Sequence, residues 1–334
     1  MAQLSAPRLS LLDFALAPAT LGTYNKNLSS FLSHTQLTLH QLLRLPPKQI
    51  DLLLAAFIQY SYDCGGPYDY ASHALHGLVY HSPDLRLSLG KARLCLRGWQ
   101  RVRRSESHPP LSWELTLVFA VTMARSGCHA EAVASLLAFH CFLRVGELTR
   151  LRICDIVMPG SMGRAHSGMA VCLPLTKTGR NQWVSLLDPA VAAILCEWVR
   201  RRSCTAADTA SVFPFSSDHF RKILRRTAAV TDVGHIPYVP HSFRHGGATD
   251  AYLHGASIEQ IMERGRWKAM ESAKRYIQTG RVLLANQRLP LALTELGLLF
   301  HDTLEPLMLR LMATVPLVSS ASRPAAVRQV SFRL

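Results

Sequence analysis

The stretch PHSFRHGGATD, residues 240 to 250, sets an imidazole and a guanidinium three positions apart directly behind a proline. Proline fits the first position of a helix, so His241 and Arg244 are expected on one face of its first turns, near the positive end of the helix dipole. Both would then point at an anion. Gly246 and Gly247 follow, each costing roughly 1 kcal/mol inside a helix, which close approach of another backbone or of a ligand would offset. Taken alone, such a pair is more often a surface hydrogen-bonding couple than an active site. HSFRH also has the spacing of an HxxxH metal pair, with no further ligands in place.

The context downstream is AYLHGASIEQIMERGRWKAMESAKRYI. It reads as three short helices in series: a stop at Gly255, a capping box from Ser257 to Gln260, a second stop at Gly265 and a last helix carrying Tyr276. A plain helical packing unit with Trp267 and Tyr276 as core aromatics fits that pattern too. Trp267 falls 23 residues after Arg244, and Tyr276 nine after Trp267. With those intervals the sequence resembles the tyrosine recombinase (phage integrase) family, whose signature is H-x-x-R, then Gly-His or a Trp substitute, then the tyrosine. Earlier elements of the same family stand upstream in order. FLRVGELTRLRICDI, residues 142 to 156, resembles the first-arginine motif through Arg144, Glu147, Leu148, Leu151 and Asp155, and LPLTKTGRNQWVSL resembles the hairpin with the catalytic lysine at Lys177 and a turn at Gly179.

The resemblance implies that Tyr276 is the nucleophile on a DNA phosphodiester, with Arg144, Lys177, His241, Arg244 and Trp267 as its catalytic partners. Guanidinium suits two nonbridging phosphate oxygens through rigid, paired donors, the task of Arg144 and Arg244. The phenol must lose its proton as it attacks, and the departing 5′ oxygen needs one. His241 is then the proton acceptor or a phosphate donor, and Lys177 the acid. Trp267 can donate one hydrogen bond but cannot exchange a proton, which leaves it phosphate contact and packing. Glu147 would orient a neighbouring cationic group. The implied product is a 3′-phosphotyrosyl link with a free 5′ hydroxyl, made without metal, ATP or other cofactor. The implied assembly is a two-domain C-shaped clamp around double-stranded DNA, as a homo-tetramer on two sites. The tryptophan at its position, with the apolar and arginine-rich composition, is similar to recombinases of eukaryotic mobile elements of the DIRS-type and crypton groups. Two other readings stay open: relaxation of DNA by type IB topoisomerase chemistry, and a recombinase descendant that binds DNA without cutting it.

The elements that must position these residues are mostly helical. From Thr20, taken as a cap, Leu21, Tyr24, Leu28, Phe31 and Leu32 recur at helical spacing; PPKQIDLLLAAFIQYSYDCGG starts at prolines and stops at glycines, and YASHALHGLVYH carries Leu75, Leu78 and Val79 on one side. LGKARLCLRGWQRVRR then puts Ala92, Leu96 and Trp99 on one face. Its other side bears Lys91, Arg93, Arg97, Arg101 and Arg104, with no acidic residue interleaved. Such a stripe is either a solvated face or a phosphate contact, and the absence of self-pairing favours phosphate. Arg221, Lys222, Arg225 and Arg226 in HFRKILRRT repeat that choice.

SESHPPLS, residues 105 to 112, separates this helical block from the rest of the chain. The expected division is an arm over 1–17, a helical SAM-like core-binding domain over 18–107, a catalytic domain over 108–282 and an apolar segment with tail over 283–334. Beyond the boundary WELTLVFAVTMARSG and EAVASLLAFHCF read as helices, and MAVCLPLTKTGRNQWVSL changes to period two, giving a mainly α fold with a small β-sheet, an α+β catalytic domain. The last fifty residues are apolar but broken by Pro290, Pro306 and Pro316, and within them LALTELGLLFHDTLEPLMLRLM suits packing either in cis or on a neighbouring protomer.

Composition narrows the partners. A formal net charge of +15 in 334 residues calls for a polyanion. Charges interrupt every apolar run before the roughly 20 residues of a spanning helix, and the N-terminus lacks the pattern of a secretory signal. An intracellular protein is expected, nuclear in a eukaryote and otherwise cytoplasmic. Eight cysteines without a CxxC pair read as reduced core residues, with a structural zinc site as the minor alternative.

Overall fold

The computed structural model describes residues 15–103, 108–159, 168–176, 179–287 and 289–314. Two compact units, Met1–Ser107 and His108–Leu334, are described separately.

The first unit is helical: α1 (Pro18–Thr35), α2 (Leu39–Leu43), α3 (Pro47–Asp63), α4 (Tyr68–His81), a 3₁₀ turn (Pro83–Leu87) and α5 (Gly90–Val102). Leu28 and Phe31 of α1, Leu54 and Phe57 of α3, Leu75 and Leu78 of α4, and Leu96 and Trp99 of α5 close one apolar core. α1 begins at Pro18 behind Ala17, with no side-chain cap, so Thr20 lies inside the helix rather than capping it. A Cβ on Gly77 would fall 2.8 Å from the Tyr24 carbonyl oxygen, so α4 meets the backbone of α1 there.

α5 has no cap of its own, since Leu89 offers no polar side chain. The buried Asp51 of α3 supplies one: its two carboxylate oxygens accept the backbone N–H groups of Lys91 and Ala92, each at 2.9 Å. A carboxylate at this end satisfies two orphan donors and meets the positive pole of the helix. The helix that carries the cationic stripe is therefore anchored from α3.

In the second unit, α6 (Trp113–Arg125) and α7 (His129–His140) are apolar almost all round and form the centre. A helix of that kind belongs inside. After α8 (Val145–Leu148) come a 3₁₀ turn (Ile153–Asp155), β1 (Ile156–Val157), β2 (Met169–Leu175) and β3 (Arg180–Leu186), an antiparallel sheet in the order β1-β2-β3. Val171 pairs with Ile156 on one side and Val184 on the other, and these three turn toward the core. Between β2 and β3 the Thr176 hydroxyl donates to the Gly179 carbonyl and accepts its N–H, while the left-handed residue is Asn181 (φ 49°).

α9 (Pro189–Ser203), α10 (Ser217–Val230), α11 (Pro240–Leu253), α12 (Ile258–Gly265), α13 (Met270–Lys274), α14 (Thr279–Gln287) and α15 (Leu291–Ala313) complete the unit. α15 runs through Pro306 without breaking, against the expected interruption. It packs in cis: Gly297 lets its backbone meet Glu114 of α6, Phe300, Leu304, Met308 and Met312 join the core, and Arg201 of α9 donates to the Met312 carbonyl at 2.7 Å.

The cysteines are not uniformly core residues. Cys141 is buried, whereas Cys64, Cys154 and Cys204 are exposed. Among the described residues no His, Cys, Asp and Glu cluster could hold a metal, and no helix is long and apolar enough to cross a membrane.

Candidate active site

The site begins where α7 ends. Phe142 takes a left-handed conformation (φ 47°), costly for a bulky residue, and the turn aims its carbonyl back at two guanidiniums. Arg244 Nη1 donates to that oxygen, and Arg266 Nη2 does so at 3.3 Å. Arg144 then occupies the cap position of α8, and Glu147 three residues on reaches back to accept its N–H at 2.9 Å.

Glu147 serves two cations. Its Oε1 accepts from Arg144 Nη1 at 2.8 Å and its Oε2 from Arg266 Nη2 at 2.9 Å, with the Glu147 side chain only 2% exposed. The neighbouring cationic group that Glu147 was expected to orient is thus a pair. Arg266 was not singled out in the sequence. It is the left-handed cap of α12 (φ 58°), a conformation expected instead for Gly265. What Gly265 provides is room: a Cβ there would fall 1.9 Å from the Trp267 ring.

α11 delivers the next residues. Pro240 stands at its start, and His241, Arg244 and His245 follow within two turns. Gly246 and Gly247 resolve in favour of backbone contact. Added Cβ atoms would lie 1.9 Å from the Leu111 carbonyl oxygen and 2.0 Å from that of Phe139. Helix α11 is thereby pressed against α6 and α7, which seats Arg244 fully buried. Its Nη2 donates to the Gly265 carbonyl at 2.6 Å, and its guanidinium carbon lies 4.4 Å from the Trp267 ring centroid and 5.1 Å from that of Tyr276.

Tyr276 does not lie on a helix. It sits in the turn after α13, flanked by His245 at 4.6 Å and Trp267 at 4.6 Å between ring centroids. Its hydroxyl is 3.0 Å from His241 Nε2. Burial, with His245, Arg244, Arg144 and His108 adding positive charge, holds the His241 imidazole down at about 3. A ring kept neutral offers an acceptor nitrogen to the phenol at working pH.

Glu147 pairs with Arg144 and Arg266, and among the described residues the Arg244 guanidinium beside them pairs with no carboxylate. Burial first, then Arg144 and Arg266, push Arg244 down to about 9, still protonated at neutral pH. The site therefore carries excess positive charge with little solvent to screen it. Among the described residues the buried N–H groups on Arg244 Nε, Arg266 Nε and Trp267 Nε1 have no hydrogen-bond partner. Donors without acceptors beside unbalanced cations are the chemistry that suits an anion.

The structure gathers Arg144, Glu147, His241, Arg244, Trp267 and Tyr276, with Arg144 within electrostatic reach of both His241 and Arg244. Lys177 and Arg104 lie outside the described residues. In the first unit Lys91, Arg97 and Arg101 are exposed, Arg93 is half-buried and donates to the Arg86 carbonyl, and among the described residues none of the four forms an ion pair. On α10 Lys222, Arg225 and Arg226 are exposed, whereas Arg221 pairs with Asp218 at 2.6 Å. Sequence reasoning missed Arg266, His245 and Thr249. Arg266 stands beside Trp267 in GRW, but nothing local marks its bond to Glu147, 119 positions earlier.

The phage integrase family model matches residues 117–281. No curated protein matches the chain. Among solved structures, the chain is similar to a lambda integrase (75–356) dimer bound to a COC′ core site, at 16% identity and a TM-score of 0.55, covering 80% of this chain and 92% of that one. It is also similar to XerA recombinase, at 14% identity and a TM-score of 0.41 over 84% of this chain and 96% of that one. The site-specific recombinase XerH bound to difH substrate in a pre-cleavage complex gives 15% identity and a TM-score of 0.46, over 70% and 69%. The likeness to the lambda integrase structure is one of fold.

Proposed function

Because residues 117–281 make this chain a member of the tyrosine recombinase (phage integrase) family, we propose that it cuts and rejoins strands of double-stranded DNA at specific sites through a 3′-phosphotyrosyl intermediate. The observation that carries the proposal is the Tyr276 hydroxyl, 3.0 Å from a neutral His241, with the Arg244 guanidinium over its ring and Arg144 within electrostatic reach of that histidine.

In the forward step the Tyr276 oxygen bonds to phosphorus as its proton passes to His241 Nε2. The bond from phosphorus to the 5′ oxygen breaks, and that oxygen takes up a proton, for which Lys177 is the proposed donor. Arg144 and Arg244 hold the two nonbridging oxygens, and the Trp267 indole donates to the same phosphate. The phosphodiester energy is kept in the tyrosyl link, so a second strand's 5′ hydroxyl reseals it without ATP or metal. Arg266 acts through Glu147, which fixes Arg144.

The stripe of Lys91, Arg93, Arg97, Arg101 and Arg104 and the exposed cations of α10 would engage DNA backbone. Affinity should then fall steeply with salt. We further propose a homo-tetramer on two sites, action in integration or movement of a mobile element, and a nuclear location in a eukaryotic host or a cytoplasmic one otherwise.

A second reading has one observation of its own. Arg244 is fully buried with Nη1 and Nη2 both donating to backbone carbonyls, which suits a fold that binds DNA without cutting it. Covalent capture on a randomised pool of nicked duplexes, read under denaturing conditions, decides. Wild type should retain DNA and Tyr276→Phe should not, while both bind the pool natively. Native binding with no covalent product from either protein would favour the non-cutting reading. Relaxation of supercoiled DNA without joining of sites would point to topoisomerase chemistry.

A further inference from the structure

Tyr276 must present its hydroxyl to phosphorus from a segment that no helix holds, since residues 275–278 lie between α13 and α14. What fixes that segment is a closed ring of hydrogen bonds from α11. The fully buried Thr249 hydroxyl accepts the Gln278 backbone N–H at 2.9 Å and donates toward the Tyr276 carbonyl at 3.1 Å, sharing its hydrogen with the His245 carbonyl one turn earlier at 2.8 Å. The Gln278 side-chain amide nitrogen reaches His245 Nδ1 at 3.1 Å and the Arg275 carbonyl at 3.1 Å.

The chemistry of these groups fixes the direction of each bond. An amide nitrogen that donates to the Arg275 carbonyl also donates to His245, so Nδ1 accepts and the ring hydrogen resides on Nε2. The face of that ring lies along the Tyr276 ring, 4.6 Å between centroids and 22° from parallel. His245 therefore touches the ring of the nucleophile and accepts from Gln278, and Thr249 closes the loop on both sides of the Tyr276–Gln278 segment.

We propose that Thr249 and His245, one turn apart on α11, are positioning residues that with Gln278 clamp the Tyr276 segment and hold its hydroxyl at His241 for attack on DNA. The inference rests on the strand-cleaving reading and goes beyond it, because that reading assigns no role to either residue. A nucleophile set even about 1 Å out of place loses on the order of a hundredfold in rate. The clamp lies on the same helix as His241 and Arg244, so base, phosphate clamp and nucleophile share one rigid support.

The test uses the full chain with Thr249→Val, which keeps the shape and removes the hydroxyl, and Thr249→Ser, which restores it. Three quantities are read: native affinity for the random nicked duplex pool, the rate of covalent capture, and hydrogen exchange at the Gln278 amide. Thr249→Val should slow capture by roughly tenfold to a hundredfold with affinity within about twofold, and should speed Gln278 exchange, while Thr249→Ser stays near wild type. Gln278→Ala, at a half-exposed position outside any helix, removes another arm and should slow capture in the same sense if Thr249→Val does not fold. Equal capture by wild type, Thr249→Val and Gln278→Ala overturns the proposal, as does equal loss in Thr249→Val and Thr249→Ser. If wild type captures no DNA, the strand-cleaving reading fails by itself. Amide exchange then still decides the clamp: faster exchange in the valine variant alone upholds it, and unchanged exchange overturns it.

Discussion

Glu147 and Arg266, 119 positions apart in the chain, form a buried ion pair at 2.9 Å with both side chains almost completely out of solvent. The same carboxylate holds Arg144 through its other oxygen. One acid thus determines where two cations stand, and one of them faces the proposed phosphate. The arrangement is costly in the free protein because charge exceeds counter-charge, and a bound phosphodiester would correct the imbalance.

Removing that acid should be expensive. Glu147→Gln leaves two largely desolvated guanidiniums without a counter-charge, and we expect a loss of about 3 kcal/mol or more in urea unfolding. Adding Arg266→Met should recover part of the loss, since the methionine removes one stranded charge. Strictly additive losses would show that the two groups are not coupled.

The glycines of α11 make a sharper contrast. Gly246→Ala drives a methyl group into the Leu111 carbonyl, a backbone atom that cannot swing aside, and should cost about 3 kcal/mol or more with a matching fall in Tm. Gly280→Ala in α14 meets nothing within 4 Å and should be neutral or slightly stabilising. Similar melting curves for the two variants would contradict the close contact.

Asp51 is a testable support for the cationic helix. Asp51→Ala removes the acceptor for the Lys91 and Ala92 N–H groups, which should cost about 1–2 kcal/mol and speed amide exchange in the first turn of α5. If α5 contacts phosphate, the dependence of DNA affinity on salt should also become shallower. Unchanged exchange in that turn would show that the cap contributes nothing.

Acid should destabilise the second unit through its histidines. Burial is the first cause that holds His241 at about 3 and His245 and His140 at about 4; His245, Arg244, Arg144 and His108 act in the same sense on the first and His108, Arg244 and Arg281 on the second, while Asp188 opposes the shift of His140 and Arg264 adds to it. Unfolded, each imidazole titrates near 6.5, so between about 6.5 and about 4 the unfolded chain binds more protons than the folded one. Stability is whole above about 6.5 and declines as the pH falls through that window. Urea midpoints at pH 7.5, 6 and 5 should decrease in order, and a flat series would show that these rings are not held neutral.

Features that depend on local order were legible in the chain alone. Pro240, the Ser257 to Gln260 capping box and the period-two run from Met169 act on their own neighbours, because a cap or a pleat involves residues a few positions apart, and the helices and strands formed there. The intervals linking Arg144, His241, Arg244, Trp267 and Tyr276 were legible for a related reason: each sits at a fixed offset within such an element. It took the packed fold to show that Gly246 and Gly247 receive carbonyls rather than a ligand, and that Tyr276 stands in a turn instead of a helix. The fold likewise set α15 in cis through Pro306, brought Asp51 to cap a helix 40 residues on, paired Arg266 with Glu147, and placed His245 against the Tyr276 ring and Thr249 at its carbonyl. These are contacts between residues distant in the chain. Their partners are selected by what burial places side by side, a condition that no local period or spacing encodes.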